Sequence, residues 1–315
     1  MVSVGALLKR SAAVTVRRLR PDVYQDLKFG QYARTWIHPR VTAADDYYAP
    51  SILLGHEGID LHIAEQLARL DAWRDMRYQA LFSELRQDPA INTGALGESV
   101  GSAELHNGYY PTPDAEIYAA MILDIKPREI VEVGSGYSTL IARQAIRYAA
   151  LPTKLAVIDP SPRTEVGAAS NQVINGYVED SDLDRRAWAA NDILFIDSSH
   201  ICRSRGDLPF LFCRVLPKLP VGMFVHVHDI FIPYDYPTNY DDRCYTEQYL
   251  LHCVLSGSRR YKTILSTHHL SRNHARPMQQ VFSPKVGASA LYNGASYWFQ
   301  VVSESSNKAG DYDED

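Results

Sequence analysis

IVEVGSGYSTLIA, residues 130–142, is an apolar, β-branched run that ends on an acid and two glycines before a helix-like pattern begins. Glu132 sits near the end of the run. Gly134 and Gly136 follow, with Ser135 and Ser138 beside them. A strand that feeds a glycine turn into a helix N-terminus gives a ligand close backbone approach and several free N–H donors. An acid at the strand end repels a phosphate but suits a ribose hydroxyl or an ammonium group. The stretch therefore predicts a nucleoside-binding turn rather than a pyrophosphate cradle. One glycine turn is weak evidence alone, because many α/β crossovers use one.

Working outward, apolar runs predict strands near 129–133, 155–159, 173–178, 192–197 and 222–228, with helices over 138–149 and 204–217 between them. A helix over 245–257, a strand over 262–266 and a last strand over 296–302 follow. Upstream, Thr112 reads as a helix cap, with Pro113 at the first position and Asp114 and Glu116 in the first turn. Alternating strands and helices imply an α/β fold: a Rossmann-like, seven-stranded, mainly parallel sheet flanked by helices. The first hundred residues contain no strand ladder. Leu61, Ile63, Leu67, Leu70, Trp73, Tyr78 and Leu81 recur there at helical spacing within 58–86. The expected division is a mainly helical segment over 1–105, an α/β domain over 106–305 and an acidic, disordered tail over 306–315. A lid, a substrate contact and a homodimer contact are the roles open to the helical segment.

A chain of 315 residues with 46% hydrophobic residues can bury a full α/β core and has material left over. Its net charge of −5 supplies no basic field for nucleic acid, and no apolar run is long enough to span a bilayer. The basic start has only a short apolar stretch, interrupted by Lys9 and Arg10, so it reads as a surface helix or frayed terminus rather than a secretory signal. Cys202, Cys213, Cys244 and Cys253 form no C-x-x-C pair; they read as free thiols, and the expected location is the cytoplasm. Tyrosines cluster around Tyr47, Tyr109 and Tyr240, as expected either of loops that contact a substrate or of domain contacts.

In such a sheet, ligands bind at the carboxyl ends of the strands near the switch point. The first strand offers Glu132 and the glycine turn, and the second offers Asp159, suited to ribose hydroxyls. The third offers Glu179 and Asp180, suited to an exocyclic amine; the fourth offers Asp197 with His200 close behind; the fifth offers His228 and Asp229. Each has a plainer reading: Asp159 or Asp197 as a helix cap, His226 as a core histidine, His268 and His269 as structural. The joint occurrence carries more weight than any one, since five consecutive strand ends hold groups suited to one nucleoside and one reaction centre.

EVGSGYST, VIDPSPR, NDILFIDSSH and VHVHDIFIPYDYP, in that order, resemble the class I S-adenosylmethionine-dependent methyltransferases, and most closely the methyltransferase domain 24 branch. NGYYPTPDAEIYAAMI before them and YTEQYLLHCVLSG after them resemble the same branch, so the likeness covers roughly residues 106–302. It implies S-adenosyl-L-methionine as cofactor, with Glu132, Gly134 and Gly136 at its amino acid part, Ser138 where relatives have a third glycine, and Ser135 of the same turn also in the cofactor-binding set. It further implies Asp159 at the ribose, Glu179 or Asp180 beside the adenine, and Asp197 near the methionine moiety. Metal-dependent O-methyltransferases of this kind place one carboxylate after strand four and two adjacent ligands after strand five, where this chain has Asp197 and His228–Asp229.

The departure is the histidine, since those relatives present Asp-Asn or Asp-Asp after strand five. Two readings stay open. A divalent cation (Mg, Mn or another) is held by Asp197, His228 and Asp229, with His200 as a further candidate; or His228 acts without metal as general base on a substrate hydroxyl. His228, Asp229, Asp197 and His200 are the candidate catalytic residues in either case. The expected acceptor is a hydroxyl on a small molecule, a saccharide or a glycosylated natural product. It would lie between the strand-five loop, Tyr109–Tyr110 and the N-terminal helices. Two rivals are a non-haem metal-dependent hydroxylase of related fold and a non-catalytic binding module. Nucleic acid is not expected as substrate, because IDSSH stands where an N/D-P-P-Y-type motif would be.

Overall fold

The β-branched and aromatic runs form strands β1 (Glu129–Val133), β2 (Lys154–Ile158), β3 (Gln172–Ile174), β4 (Ile193–Ile196), β5 (Phe224–Val227), β6 (Tyr261–Ser266) and β7 (Tyr297–Val301). The computed structural model describes Val23 and residues 52–94, 104–162, 166–288 and 293–303. The strands join in one sheet of order β3-β2-β1-β4-β5-β7-β6. β1 to β5 run parallel, and β7 is antiparallel to both β5 and β6. The chain leaves β1 in one direction through β2 and β3, then crosses back to β4 and β5. The carboxyl ends of β1 and β4 therefore bound the crevice at the switch point.

The helices are α1 (Ile63–Ala72), α2 (Met76–Gln87), α3 (Asp114–Ile125), α4 (Tyr137–Tyr148), α5 (Asp207–Phe210), α6 (Glu247–Ser256), α7 (Thr267–Asn273) and α8 (Ala275–Val281). Strand alternation sends side chains to two buried layers. Ile130, Leu155, Phe195 and Trp298 pack with Leu70, Phe82, Ile117, Ile141 and Met278, which come from α1, α2, α3, α4 and α8. Val131, Ile158, Leu194 and Val225 pack with Leu208, Leu251 and Leu255, which come from α5 and α6. Helices thus cover both faces, as parallel strands buried on both sides require.

Several expectations shift. The helical stretch over 58–86 is two helices, separated where the Asp75 carboxylate caps α2 by accepting from the Arg77 N–H at 2.9 Å. Thr112 is not the cap of α3. Pro113 occupies that position, and the Thr112 hydroxyl accepts from the Leu105 N–H and donates to Glu116. β3 is shorter than predicted, because only Gln172–Ile174 pair with β2. The helix expected over 204–217 is the four-residue α5, then a wider turn over Leu211–Val215 and a tight one over Leu216–Lys218. Pro217, which lacks an N–H, sits in that tight turn.

The described part of the N-terminal segment is pinned to the core. Asp124 on α3 accepts from Arg69 and Trp73 of and just after α1, and from the Tyr78 hydroxyl of α2. The basic start, Tyr47 and the acidic tail over 306–315 lie outside the described residues. No helix among the described residues is long and apolar enough to cross a membrane. None of the four cysteines is in a disulfide.

Candidate active site

A cleft of about 680 Å³ crosses the carboxyl ends of β1, β2, β4 and β5. At one end lie Gly134, Ser135, Asp159, Tyr177 and Glu179; at the other, Phe231, Pro237, Tyr240, Arg243 and Tyr245. Asp114, Asp197, His200, His228 and Asp229 stand between them.

At the first end, Gly134 has φ +87°, and a Cβ there would lie 2.0 Å from the Asp197 carbonyl oxygen. The turn can thus press β1 against β4 only with glycine at this position. The Ser135 N–H and hydroxyl each donate to Asp159 Oδ2 at 2.8 Å, and the Ser161 N–H donates to Oδ1 at 2.7 Å. Asp159 therefore fixes the turn relative to the end of β2 and still faces the cleft. Glu179 lines the cleft, whereas Asp180, its neighbour on the tight turn Val178–Asp180, is exposed and does not.

Other members of the predicted cofactor set lie behind the turn. Glu132 is fully buried and lines no part of the cleft; its carboxylate accepts from the Tyr118 hydroxyl at 2.9 Å and from the Thr139 hydroxyl. Burial pushes its pKa up to about 8, although the Thr139 and Tyr118 hydroxyls oppose the rise. Ser138, in the first turn of α4, is also buried, and neither it nor Gly136 lines the cleft. The physical reason is period: alternation along β1 turns Glu132 toward α3 and α4.

In the middle, His200 Nε2 is 3.2 Å from Asp197 Oδ1 and 3.7 Å from Asp229 Oδ2, and its Nδ1 is 2.8 Å from Glu247 Oε2. Asp197, His200 and Asp229 offer ligand atoms that all lie within 4.8 Å of one another. His228 stands on the other side of Asp197. Its Nδ1 is 3.4 Å from Asp197 Oδ1 and 3.9 Å from Asp229 Oδ1, and its Nε2 is 3.5 Å from Asp114 Oδ2. His200 and Asp229 both have positive φ, +60° and +56°. Left-handed backbone at two non-glycine residues of one cluster is strain of the kind that concentrates at functional sites.

Electrostatics follow from this crowding. Burial would raise the Asp197 carboxyl, but His228 and His200 outweigh it and hold the group well below the usual carboxylate range. Burial would lower both histidines. The carboxylates of Asp197, Glu247 and Asp229 instead raise His200, and those of Asp197, Asp229 and Asp114 raise His228. His226, by contrast, is a core residue, stacked 4.1 Å from Trp298 with Nε2 2.9 Å from the Ser296 hydroxyl; burial lowers its pKa well below the ordinary value. His268 packs on Phe231, and burial brings it down to about 3.

The far end is aromatic. Phe231, Tyr236, Tyr240 and Tyr245 contact one another, the Arg243 guanidinium lies 4.1 Å over the Tyr240 ring, and the Tyr240 hydroxyl donates to Asp229 Oδ1 at 2.8 Å. Tyr109 lines the mouth and is 61% exposed, while Tyr110 is buried against His228. No residue of α1 or α2 lines the cleft.

Three contributors escaped the sequence reading. Asp114 reads as an ordinary first-turn helix acid and Glu247 falls within the helix expected over 245–257, and nothing in their local pattern signals contact with His228 and His200. Arg243 ends a tight helical turn over Thr238–Arg243 that no periodicity marks.

The donor set discriminates among ligands. Asp114, Asp159, Glu179, Asp197 and Asp229 all face the cleft, a poor setting for a pyrophosphate and a good one for a nucleoside that carries a sulfonium and an ammonium group. Asp159 beside the turn suits the ribose hydroxyls. S-adenosylmethionine therefore fits. A divalent cation fits the Asp197–His200–Asp229 group, which combines two carboxylates with an imidazole.

A family model described as a methyltransferase domain matches residues 131–230, from within β1 to just past β5. Among solved structures, the chain is similar to the O-methyltransferase TomG from Streptomyces achromogenes, involved in tomaymycin synthesis and in complex with SAM. The identity is 16% over 73% of this chain and 91% of that one, with a TM-score of 0.36. It is similar to SAH-bound Podospora anserina methyltransferase PaMTH1, at 13% identity over 75% and 95% of the two chains and a TM-score of 0.39. It is also similar to an O-methyltransferase from Bacillus cereus in complex with SAH, at 15% identity over 73% and 91% and a TM-score of 0.39. No curated protein matches the chain.

Proposed function

We propose that this chain is a class I S-adenosylmethionine-dependent methyltransferase that methylates a hydroxyl oxygen with the help of a divalent cation, a reading that the methyltransferase-domain match over residues 131–230 supports. The observation that carries the reading is the continuity of the cleft from the Gly134–Asp159 end to the Asp197–His200–Asp229 group. A cofactor-binding end and a group able to activate an acceptor share one cleft.

The cofactor supplies an electrophilic methyl group. Ser135 and Asp159 would hold the nucleoside side, Glu179 would lie beside the adenine, and Asp197 would face the methionine part. Methyl transfer from a sulfonium is an in-line displacement in which the hydroxyl proton must leave, so positioning and hydroxyl activation are the chain's tasks. A bound cation would lower the pKa of the hydroxyl, held by Asp197, Asp229 and an imidazole. The geometry favours this over His228 as a free general base. Both of its ring nitrogens face carboxylates, Asp114 on one side and Asp197 on the other, an arrangement that keeps a proton on the ring.

The wall of Phe231, Tyr240 and Tyr245 supports an acceptor with a ring to stack and hydroxyls to present, such as a saccharide or a glycosylated natural product. The test is transfer of a labelled methyl group to a panel of sugars and glycosides, with and without a chelator. Incorporation that the chelator abolishes and added divalent ion restores is expected. Chelator-resistant transfer would return the base role to His228, and oxygen consumption in place of transfer would favour a hydroxylase.

A further inference from the structure

We infer that His200, and not His228, is the imidazole ligand of this cation site, and that Glu247 is the positioning residue that aims it. The site thereby favours a manganese- or iron-type cation over magnesium. This rests on the cation-assisted reading above and adds to it which ring binds, what holds that ring and which metal follows.

The first turn of α6 grips His200 at both backbone and ring. The His200 carbonyl accepts from the Thr246 N–H at 2.8 Å and the Glu247 N–H at 3.2 Å, while the Thr246 hydroxyl accepts from the Cys202 N–H at 2.7 Å. This grip holds the loop after β4 in the shape that gives His200 its positive φ. The Glu247 side chain, fully buried, then meets His200 Nδ1 at 2.8 Å. Nε2 lies by Asp197 and Asp229 as Nδ1 lies by Glu247, so a cation between the two aspartates would take the place of any Nε2 proton while Glu247 keeps the proton on Nδ1, the arrangement that orients metal-binding histidines generally. That Nε2 points between Asp197 and Asp229.

His228 is held differently. Its Nε2 faces Asp114, whose two oxygens already accept from the Ala295 and Ser296 N–H groups. Its Nδ1 is 3.4 Å from Asp197 Oδ1 and 3.9 Å from Asp229 Oδ1, the oxygen that accepts the Tyr240 hydroxyl, whereas His200 faces the other oxygen of Asp229, Oδ2. A cation shared by His200, Asp197 and Asp229 therefore leaves the Tyr240 bond intact. Magnesium prefers an all-oxygen shell, whereas an imidazole beside two carboxylates suits manganese, iron, cobalt or zinc.

The experiment is a titration of the metal-free full chain with Mn²⁺, followed by electron paramagnetic resonance, with Mg²⁺ as competitor. One Mn²⁺ per chain is expected, displaced only by Mg²⁺ in large excess. Pulsed spectra should show nitrogen coupling that His200→Ala removes and His228→Ala retains. Glu247→Gln should weaken Mn²⁺ binding about 10- to 100-fold. Calorimetry should show that all three variants still bind S-adenosylmethionine and are therefore folded. Nitrogen coupling that survives His200→Ala but not His228→Ala would overturn the assignment, as would Mn²⁺ affinity unmoved by Glu247→Gln or Mg²⁺ competing on equal terms. If the unmodified chain binds no Mn²⁺ at all, the cation-assisted reading itself falls, and this assignment with it.

Discussion

Gly134 shows how little freedom the turn has. Its positive φ and a Cβ position 2.0 Å from the Asp197 carbonyl oxygen mean that even alanine must push β1 and β4 apart where the cofactor end and the acidic centre meet. Gly134→Ala should destabilise the fold by on the order of 2–4 kcal/mol. It should also weaken S-adenosylmethionine binding about 100-fold or more, as read by denaturant unfolding and calorimetry; near-native values in both would refute the packing argument. At this scale the sequence was informative for groups at strand ends. Asp159, Glu179, Asp197, His200, His228 and Asp229 line the cleft because each follows an apolar run whose carboxyl end faces the switch point. It was uninformative for Glu247, since the contact with His200 spans 47 positions and leaves no local pattern.

Among the elements, β1, α3 and α4 meet at Glu132, where the Tyr118 and Thr139 hydroxyls converge on one buried carboxyl. Strand alternation, which a motif does not reveal, turns this acid away from the cleft although it sits two residues before the glycine turn. Its pKa is raised from 4.5 to about 8 by burial, so the unfolded chain releases the proton at lower pH than the folded one. Stability from this group is therefore present below 4.5, declines as pH rises and levels off above about 8. Against Glu132→Gln, which cannot titrate, the unmodified chain should lose up to about 1.4 kcal/mol per pH unit across that window. Unfolding curves at a series of pH values read the difference, and parallel profiles would contradict it. The element boundaries that shifted did so for equally local reasons. Asp75 divides the helical stretch over 58–86, and Pro217 stands in the tight turn that ends the segment after α5.

Across the whole molecule, the seven-strand order brings residues from 114 to 247 into one site, and the strand pattern was legible because β-branched runs and glycine turns alternate so regularly. The contact of α1 and α2 with the core was less so. Their helical spacing was visible, but the burial of Trp73 and Tyr78 against α3 depends on Asp124, which no periodicity marks. The central claim is that the turn at 130–142 and the acids beyond it form one S-adenosylmethionine site. Isothermal calorimetry of the full chain with S-adenosylmethionine and S-adenosylhomocysteine tests it most directly. One-to-one binding of both, in the micromolar range and weakened about 10-fold or more by Asp159→Asn, is the predicted result; no detectable binding of either at millimolar concentration would contradict it.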